Sequence, residues 1–439
     1  MFDPIRASDA VIQKLRANHP SLIDLTTGRV ERLLEAQGRP DLRLPPVIHV
    51  AGTNGKGSTT AFLRAMAEAA GLSVHVLTSP HLVRFAERIR IAGRLITDEA
   101  LDALADRLET VNAGQPISFF EITTVLALTA FAETPADLCL IEVGLGGRFD
   151  ATNIFPAPAV SVITPVDYDH VEMLGPELSN IAWEKAGIIK AGRPVVCAGQ
   201  REEALAVIEA EVEALGARLT LVGRDADIWR ERGRLMVQAQ DRLLDLPAPS
   251  LPGPHQFDNA GLAALALLAL DDPRITEAAL GRGSETATWP GRFQRLKDGP
   301  LGRLAAARGS DLWLDGAHNP HGAEALARTC AEMTARDPRP LVLVVGQFAR
   351  KDPRGFFAAF RDLPLKVVAT TFDSATALSP EALAEAARAE GLPVETAADV
   401  SAAVALALAA EGPPPRVVVC GGLHFAGDVL ALSPETWPT

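Results

Sequence analysis

Residues 46–60 read Pro46-Val47-Ile48-His49-Val50-Ala51-Gly52-Thr53-Asn54-Gly55-Lys56-Gly57-Ser58-Thr59-Thr60. An apolar, strand-like run enters a glycine-rich turn. A lysine sits in the turn, and an alanine-rich helical pattern leaves it. This layout makes a phosphate cradle, because glycines let backbone N–H groups converge on anionic oxygens and the helix N-terminus adds positive potential. Lys56 supplies a mobile cation. The match to the common P-loop is imperfect. Only Thr53 and Asn54 separate Gly52 from Gly55, and Gly57 stands where a metal-binding hydroxyl would follow the lysine. A magnesium ligand must therefore come from elsewhere in the chain.

Working outward, apolar runs and helical patterns alternate. Strands are expected at 47–50, 74–77, 138–143, 160–163 and 194–197, and helices at 8–38, 58–70, 98–112 and 121–133. Continuous apolar runs such as 138–143 fit buried parallel strands. The alternation predicts an α/β fold, a doubly wound and mostly parallel sheet. Residues 218–252 break the pattern. Short polar-flanked runs at 219–222, 228–229, 235–238 and 243–246 predict a small antiparallel insertion. Helices resume at 256–270 and 276–281. Thr288-Trp289-Pro290-Gly291-Arg292-Phe293-Gln294 marks a domain boundary. Alternation then restarts, with strands at 312–314, 341–345, 367–371 and 417–420 and helices at 321–335, 354–361, 380–390 and 400–410. The expected domains are 1–290 and a smaller Rossmann-like α/β domain at 291–439.

The chain has 439 residues, 48% of them hydrophobic, and a formal charge of −13. That acidity argues against wrapping nucleic acid or an anionic membrane surface. Four widely spaced cysteines, Cys139, Cys197, Cys330 and Cys420, show no metal-binding spacing and suit a reducing compartment. The N-terminus carries charge at once, which is not the pattern of a signal-peptide core. The apolar run near Ala260–Leu270 is too short to span a bilayer. A soluble cytoplasmic enzyme is expected. Only seven of the 42 basic residues are lysines, so each one is easier to weigh.

Four further clusters carry chemistry. Thr78-Ser79-Pro80-His81 follows the second strand, and Ser79 either faces bound phosphates or is an ordinary turn serine. Glu142 ends a buried apolar strand, where an unpaired carboxylate is very costly. Magnesium beside phosphates or an arginine would each satisfy it. Gly144–Asn153 follows it, with Gly144, Gly146 and Gly147 allowing close backbone approach to a ligand. Asp169-His170 offers an imidazole for a metal, although a lone histidine is more often a cap or core residue. Lys185, in Trp183–Ile188, reads by itself as a solvated helical lysine. Arg292 can clamp a phosphate or form a salt bridge between domains, and Asp315-Gly316-Ala317-His318-Asn319-Pro320 lies at a strand end. Facing strand ends in two α/β domains imply a cleft that closes over substrates.

Together these residues resemble the bacterial folylpolyglutamate synthase/dihydrofolate synthase family of the Mur ligase superfamily. The resemblance runs nearly end to end, through His49–Thr60, Glu142–Asn153, Asp169-His170, Glu184–Ile188, Pro254–Asn259, Trp289–Gln294 and Asp315–Pro320. It implies an ATP-dependent ligase that adds L-glutamate to dihydropteroate and to folates through an acyl phosphate, with an N-terminal ATPase domain and a C-terminal glutamate-ligase domain. It implies ATP contacts at Gly55, Lys56, Gly57, Ser58, Asn259, Arg292, Asp315 and His318, and magnesium at Ser79, Glu142 and His170. It leaves room for a monovalent cation beside them. It places Lys185 on a lysine that the family carbamylates, and gives Lys56, Lys185, His170 and Arg292 the catalytic roles. It implies a dihydropteroate pocket at Ser118, Phe119, Phe120 and Glu121 with Phe149, Asp150 and Ala151, where an aromatic face stacks on the pterin and a carboxylate bonds its edge. A monomer is implied.

Two stretches depart from the family pattern. Gly346–Asp352 lacks the acidic residue that more often precedes Lys-Asp, and Cys420-Gly421-Gly422-Leu423-His424 replaces Gly-Ser-Leu-Tyr. A ligase acting on UDP-linked precursors would need a domain before the turn, and the roughly 50 residues that precede it are expected to be too few. A non-catalytic nucleotide sensor would not need Glu142, His170 and Lys185 together.

Overall fold

The structure is a computed structural model that describes residues 5–19, 26–409 and 412–438. Two compact units emerge, Met1–Ser250 with Phe257–Thr288, and Leu251–Gln256 with Trp289–Thr439.

In the first unit the described strands are β1 (Val47–Ala51), β2 (Val74–Leu77), β3 (Ile89–Ile91), β4 (Arg94–Leu95), β5 (Leu138–Glu142), β6 (Val160–Ile163), β7 (Pro194–Cys197) and β8 (Arg218–Leu221). They form one sheet in the order β4-β3-β2-β5-β1-β6-β7-β8, parallel from β2 through β8. β3 and β4 extend it as an antiparallel edge. β1 lies inside it between β5 and β6 and is buried at every position, as its largely apolar run predicts, with His49 the one polar member. Register aligns the carboxyl ends, with Val50 opposite Glu142, Ala51 opposite Ile163, and Leu77 opposite Ile141. The residues just beyond these strands therefore meet at one rim, where ligands bind in open α/β sheets.

One correction concerns residues 219–222. They do not join the antiparallel insertion. Instead β8 pairs parallel with β7 at the sheet edge, where its half-exposed faces give a polar-apolar alternation like that of a hairpin. The insertion is the separate sheet of β9 (Ala226–Glu231), β10 (Arg234–Ala239) and β11 (Arg242–Leu246). The helical expectation over 8–38 resolves into Ile5–Asn18 and Gly28–Ala36, ended by Gln37 and a left-handed Gly38. Residues 20–25 of that stretch lie outside the described residues. Leu15, Leu33 and Leu34 from these helices join the helix Phe119–Ala132 in a core over one sheet face, which includes Cys139 and Ile141. Farther along the same face, Ile163, Val195 and Cys197 are buried under the helices Leu178–Ala186 and Glu202–Leu215.

The second unit holds β12 (Gln294–Leu296), β13 (Asp311–Leu314), β14 (Leu341–Val345), β15 (Leu365–Ala369), β16 (Val394–Thr396) and β17 (Arg416–Cys420), ordered β12-β13-β17-β14-β15-β16. Only β12 is antiparallel to its neighbour. No helix among the described residues is long and apolar enough to cross a membrane.

Helix Glu277–Thr286 packs closely on helix Lys56–Ala69, which leaves the glycine turn. A Cβ at Gly283 would lie 2.3 Å from the Met66 Cα, against backbone that cannot yield locally. Gly283→Ala should therefore lower unfolding stability by about 1–3 kcal/mol in urea denaturation. An unchanged midpoint would show that the two helices can separate freely.

Candidate active site

The turn is built by contacts that only glycine permits. Gly52 has φ +146°, and a Cβ there would lie 1.8 Å from the Thr164 Oγ1. Thr164 stands just beyond β6, and its hydroxyl donates to the Asn54 carbonyl at 2.8 Å. Gly55 has φ +90°, and a Cβ there would meet the Asn259 Oδ1 at 2.6 Å. The Thr53 hydroxyl donates to the Asp167 carbonyl at 2.8 Å, tying the turn to the segment that ends at Asp169-His170. Helix Lys56–Ala69 starts at once from Gly55, and Gly57 and Ser58 are buried in its first turn.

Two lysines converge on this turn. Lys56 Nζ donates to the carbonyls of Gly52 at 3.0 Å and Thr53 at 3.2 Å. Lys185 Nζ donates to the same Gly52 carbonyl at 2.9 Å. Lys185 is buried, not the solvated helical residue its sequence context suggests by itself. Burial, reinforced by the Lys56 charge, pulls its ammonium down to about 7, while Asp169, Glu184 and Asp150 pull the other way. Two like charges held against one carbonyl form a site suited to an anion.

The glycine loop after β5 rests on the helix that carries Lys185. A Cβ at Gly147 would lie 2.6 Å from the Glu184 carbonyl oxygen. Buried Asp150 holds the loop from inside, accepting from the Leu145 and Thr152 N–H groups and from the Thr152 hydroxyl at 2.6 Å. Burial raises its carboxyl pKa, and these hydrogen bonds oppose the shift. Because the Thr152 hydroxyl donates to Asp150, it accepts from His49 Nε2 at 3.0 Å. His49, in β1, is fully enclosed, and burial drives its pKa down to about 3, so it stays neutral. The chain His49–Thr152–Asp150 thus fixes the glycine loop to the central strand.

Of the metal candidates, the structure brings Ser79 and Glu142 together. The Ser79 N–H donates to Glu142 Oε2 at 3.3 Å, and both line a cavity of about 10 Å³ with Thr78, Arg88 and Phe120. His170 is not among the lining residues. It adopts left-handed φ 53°, and its Nε2 lies 3.9 Å from Asp169 Oδ2. Among the described residues no three His, Cys, Asp or Glu side chains cluster tightly enough to hold a metal alone. Magnesium nevertheless takes one or two carboxylates and completes its shell with phosphate oxygens and water. One carboxylate and one hydroxyl beside a phosphate cradle fit that donor set.

The expected pterin residues divide. Phe120 lines the Ser79–Glu142 cavity. Phe119 is core, with its ring edge on Phe85 and Arg16 over its face. Ser118 and Glu121 form a capping box, and Glu121 also accepts two hydrogen bonds of 2.9 Å from Arg29. Phe149 is 41% exposed and tilts against Trp183, while Ala151 is buried beside Asp150. Sequence reasoning missed Arg29, Thr164, Arg88 and Trp183. The buried position of Glu121 required a cation, but nothing local pointed 92 residues back to Arg29.

In the second unit, Asp315 is half-buried just past β13. It accepts from the N–H groups of Phe293 and Ala317, both at 2.8 Å. Burial pushes its pKa up, and the Arg292 guanidinium is the largest influence opposing that. His318 Nδ1 lies 2.9 Å from the Gly316 carbonyl and donates to it.

Residues 50–268 match the Mur ligase middle domain, and residues 291–423 match the Mur ligase glutamate ligase domain. The chain is 38% identical over 324 residues to a dihydrofolate synthase/folylpolyglutamate synthase of Bacillus subtilis, covering 70% of this chain and 72% of that one. Its fold aligns with E. coli FolC in complex with DHPP and ADP at TM-score 0.85 and 31% identity, over 97% of each chain. It also aligns with the bifunctional folylpolyglutamate synthase/dihydrofolate synthase of Yersinia pestis complexed with AMPPNP and a Mn ion. There the TM-score is 0.84 and the identity 31%, over 98% of this chain and 99% of that one.

The burial of Lys185 has a pH signature. Its folded pKa is lowered to about 7, whereas an unfolded lysine titrates near its ordinary value of about 10.4. Between these values the unfolded chain holds the extra proton, so this group makes stability rise with pH through that window. Below it the full penalty of a buried ammonium applies. In CO2-free buffer, the stability of the unaltered protein relative to Lys185→Met should rise from pH 7 toward pH 10, by at most about 1.4 kcal/mol per unit. Parallel pH profiles for the two proteins would contradict the burial of this charge.

Proposed function

The chain belongs to the dihydrofolate synthase/folylpolyglutamate synthase family of Mur ligases, and from that premise we propose how its residues carry the reaction. It is an ADP-forming ligase that uses ATP and a divalent metal to join L-glutamate to a pteroate or folate carboxylate. The substrate carboxylate attacks the γ-phosphorus of ATP, ADP leaves, and an acyl phosphate forms. The glutamate amine, having lost a proton, attacks the acyl carbon, and inorganic phosphate leaves. No protein nucleophile is required, so the residues act by positioning and by offsetting charge.

The convergence of Lys56 and Lys185 on the Gly52 carbonyl carries this reading. Gly55, Lys56, Gly57 and Ser58 receive the triphosphate, with Asn259 held over Gly55. In the second unit, Arg292, Asp315 and His318 contact the nucleotide, and the turn that Asp315 braces sets the Arg292 backbone. Ser79 and Glu142 would hold the divalent metal, with His170 reaching it from outside their cavity, and the metal when bound would neutralise phosphate charge and polarise the group being transferred. Phe120, beside Ser79 and Glu142, and exposed Phe149 offer aromatic faces for the pterin. Glu121 and Asp150 act largely through the helix start and the glycine loop that they hold.

Lys185 acts as a carbamate. A buried amine with a pKa near 7 is substantially neutral at neutral pH. A neutral amine adds to CO2, forming an N–C bond and releasing one proton. The product is an anion, so the repelling Lys56–Lys185 pair becomes an attracting one. The four cysteines are all free, buried thiols, which supports a reducing, cytoplasmic setting.

The test is ADP release with ATP, magnesium and L-glutamate, comparing dihydropteroate with a tetrahydrofolate. Turnover with both is expected, and Lys185→Ala should lower it by at least about 100-fold. No glutamate-dependent ADP release with either pterin would sink the assignment. Full activity in Lys185→Ala would remove the carbamate.

A further inference from the structure

Four adjacent strands of the second unit, β13, β17, β14 and β15, end side by side. Beyond them lie, in the same order, Asp315 to His318, Gly421 and Gly422, Gly346 and Gln347, and Thr370. Most polar groups on this rim have partners. Two fully buried ones do not. Gln347 is 0% exposed, and neither its Nε2 nor its Oε1 has a hydrogen-bond partner among the described residues. Thr370 is equally buried, and its Oγ1 is in the same condition. Only the backbones are engaged. The Gln347 carbonyl accepts from the Leu378 N–H at 2.8 Å, and the Thr370 N–H donates to the Val345 carbonyl at 2.9 Å. Native proteins rarely leave such groups unsatisfied, so two on neighbouring strand ends call for a ligand or ordered water there.

The cover over these groups is glycine backbone. The Gln347 side chain packs against the Gly421–Gly422 turn, where a Cβ at Gly421 would lie 3.1 Å from Gln347 Cγ and 2.2 Å from the Gly346 carbonyl oxygen. His318 Cβ lies 4.0 Å from where a Gly422 Cβ would be, so the rim residue expected to face nucleotide adjoins the same turn. Phe348, Phe372 and His424 form edge-to-face contacts with centroids 4.9 and 5.1 Å apart, giving the rim an aromatic border.

We propose that Gln347, supported by Thr370, is a positioning and specificity residue for the amino-acid substrate. The inference deepens the assignment as a glutamate ligase and rests on it. A carboxamide offers an acceptor and two donors from one planar group. An α-amino acid presents the complement, with ammonium or amine N–H groups next to a carboxylate. Gln347 Oε1 accepts from the amino group and its Nε2 donates to the carboxylate, directly or through one ordered water, when the glycine turn yields. The Thr370 hydroxyl completes the shell.

Steady-state kinetics of the full-length enzyme test this. Gln347→Met keeps the volume and removes the amide. It should raise the KM for L-glutamate at least about 10-fold, leaving the KM values for ATP and pterin within about twofold and the melting temperature no lower. Thr370→Val swaps a hydroxyl for a methyl and should move the same constant in the same direction, which keeps the test intact if Gln347→Met folds poorly. An unchanged glutamate KM in folded variants would overturn the inference, and so would an equal rise in all three constants. If the unaltered enzyme shows glutamate-dependent turnover and the variants match it, only this inference falls. No turnover by the unaltered enzyme would remove the ligase assignment as well.

Discussion

The Gly52 carbonyl is the point on which the first unit's chemistry turns. Two lysine side chains, from residues 56 and 185, donate to this one oxygen. One of them is buried with its pKa pulled down to about 7. For Lys185, desolvation and the Lys56 charge oppose the ammonium more than Asp169, Glu184 and Asp150 support it. The site stores a preference for anions before any anion arrives. Preorganisation of this kind is what phosphoryl transfer requires, since its charge develops on oxygens and little covalent work falls to the protein.

Much of the fold exists to hold that carbonyl still. β1 sits inside the sheet between β5 and β6, so Gly52 leaves a strand with a partner on each side. Thr164 closes the turn from the neighbouring strand end, at a distance no side chain on Gly52 would allow. The loop 144–150 is clasped from inside by Asp150 and Thr152 and from below by neutral His49. It lies against the backbone of the helix that carries Lys185, so the lysine's position follows from the glycines at 146 and 147.

The sequence was most readable where a residue contradicted its surroundings. Glu142 in an apolar strand and the missing hydroxyl after Lys56 both pointed toward a site, and Glu142 does share a cavity with Ser79. The parallel order of the central strands followed from their largely apolar runs. Reading failed where the deciding partner is remote. Lys185 looks like a solvated helical lysine until the helix is seen against the turn, a contact between residues 133 apart. Glu121 belongs to a capping box that Ser118-x-x-Glu121 spells out locally, yet its Arg29 partner lies on another helix. β8 was misplaced because an edge strand with half-exposed faces has the same local pattern as a hairpin strand. The polar Gln347 and Thr370 gave no signal, since burial alone makes an ordinary glutamine or threonine unusual.

If the Lys56–Lys185 pair is an anion site completed by chemistry on Lys185, that chemistry can be observed without turnover. Protein equilibrated with 13C-bicarbonate near neutral pH should give a carbamate carbon resonance in 13C NMR, and Lys185→Ala should lack it. An active, unaltered enzyme with no such resonance would contradict the account, and Lys185 would then act at the turn as an unmodified amine.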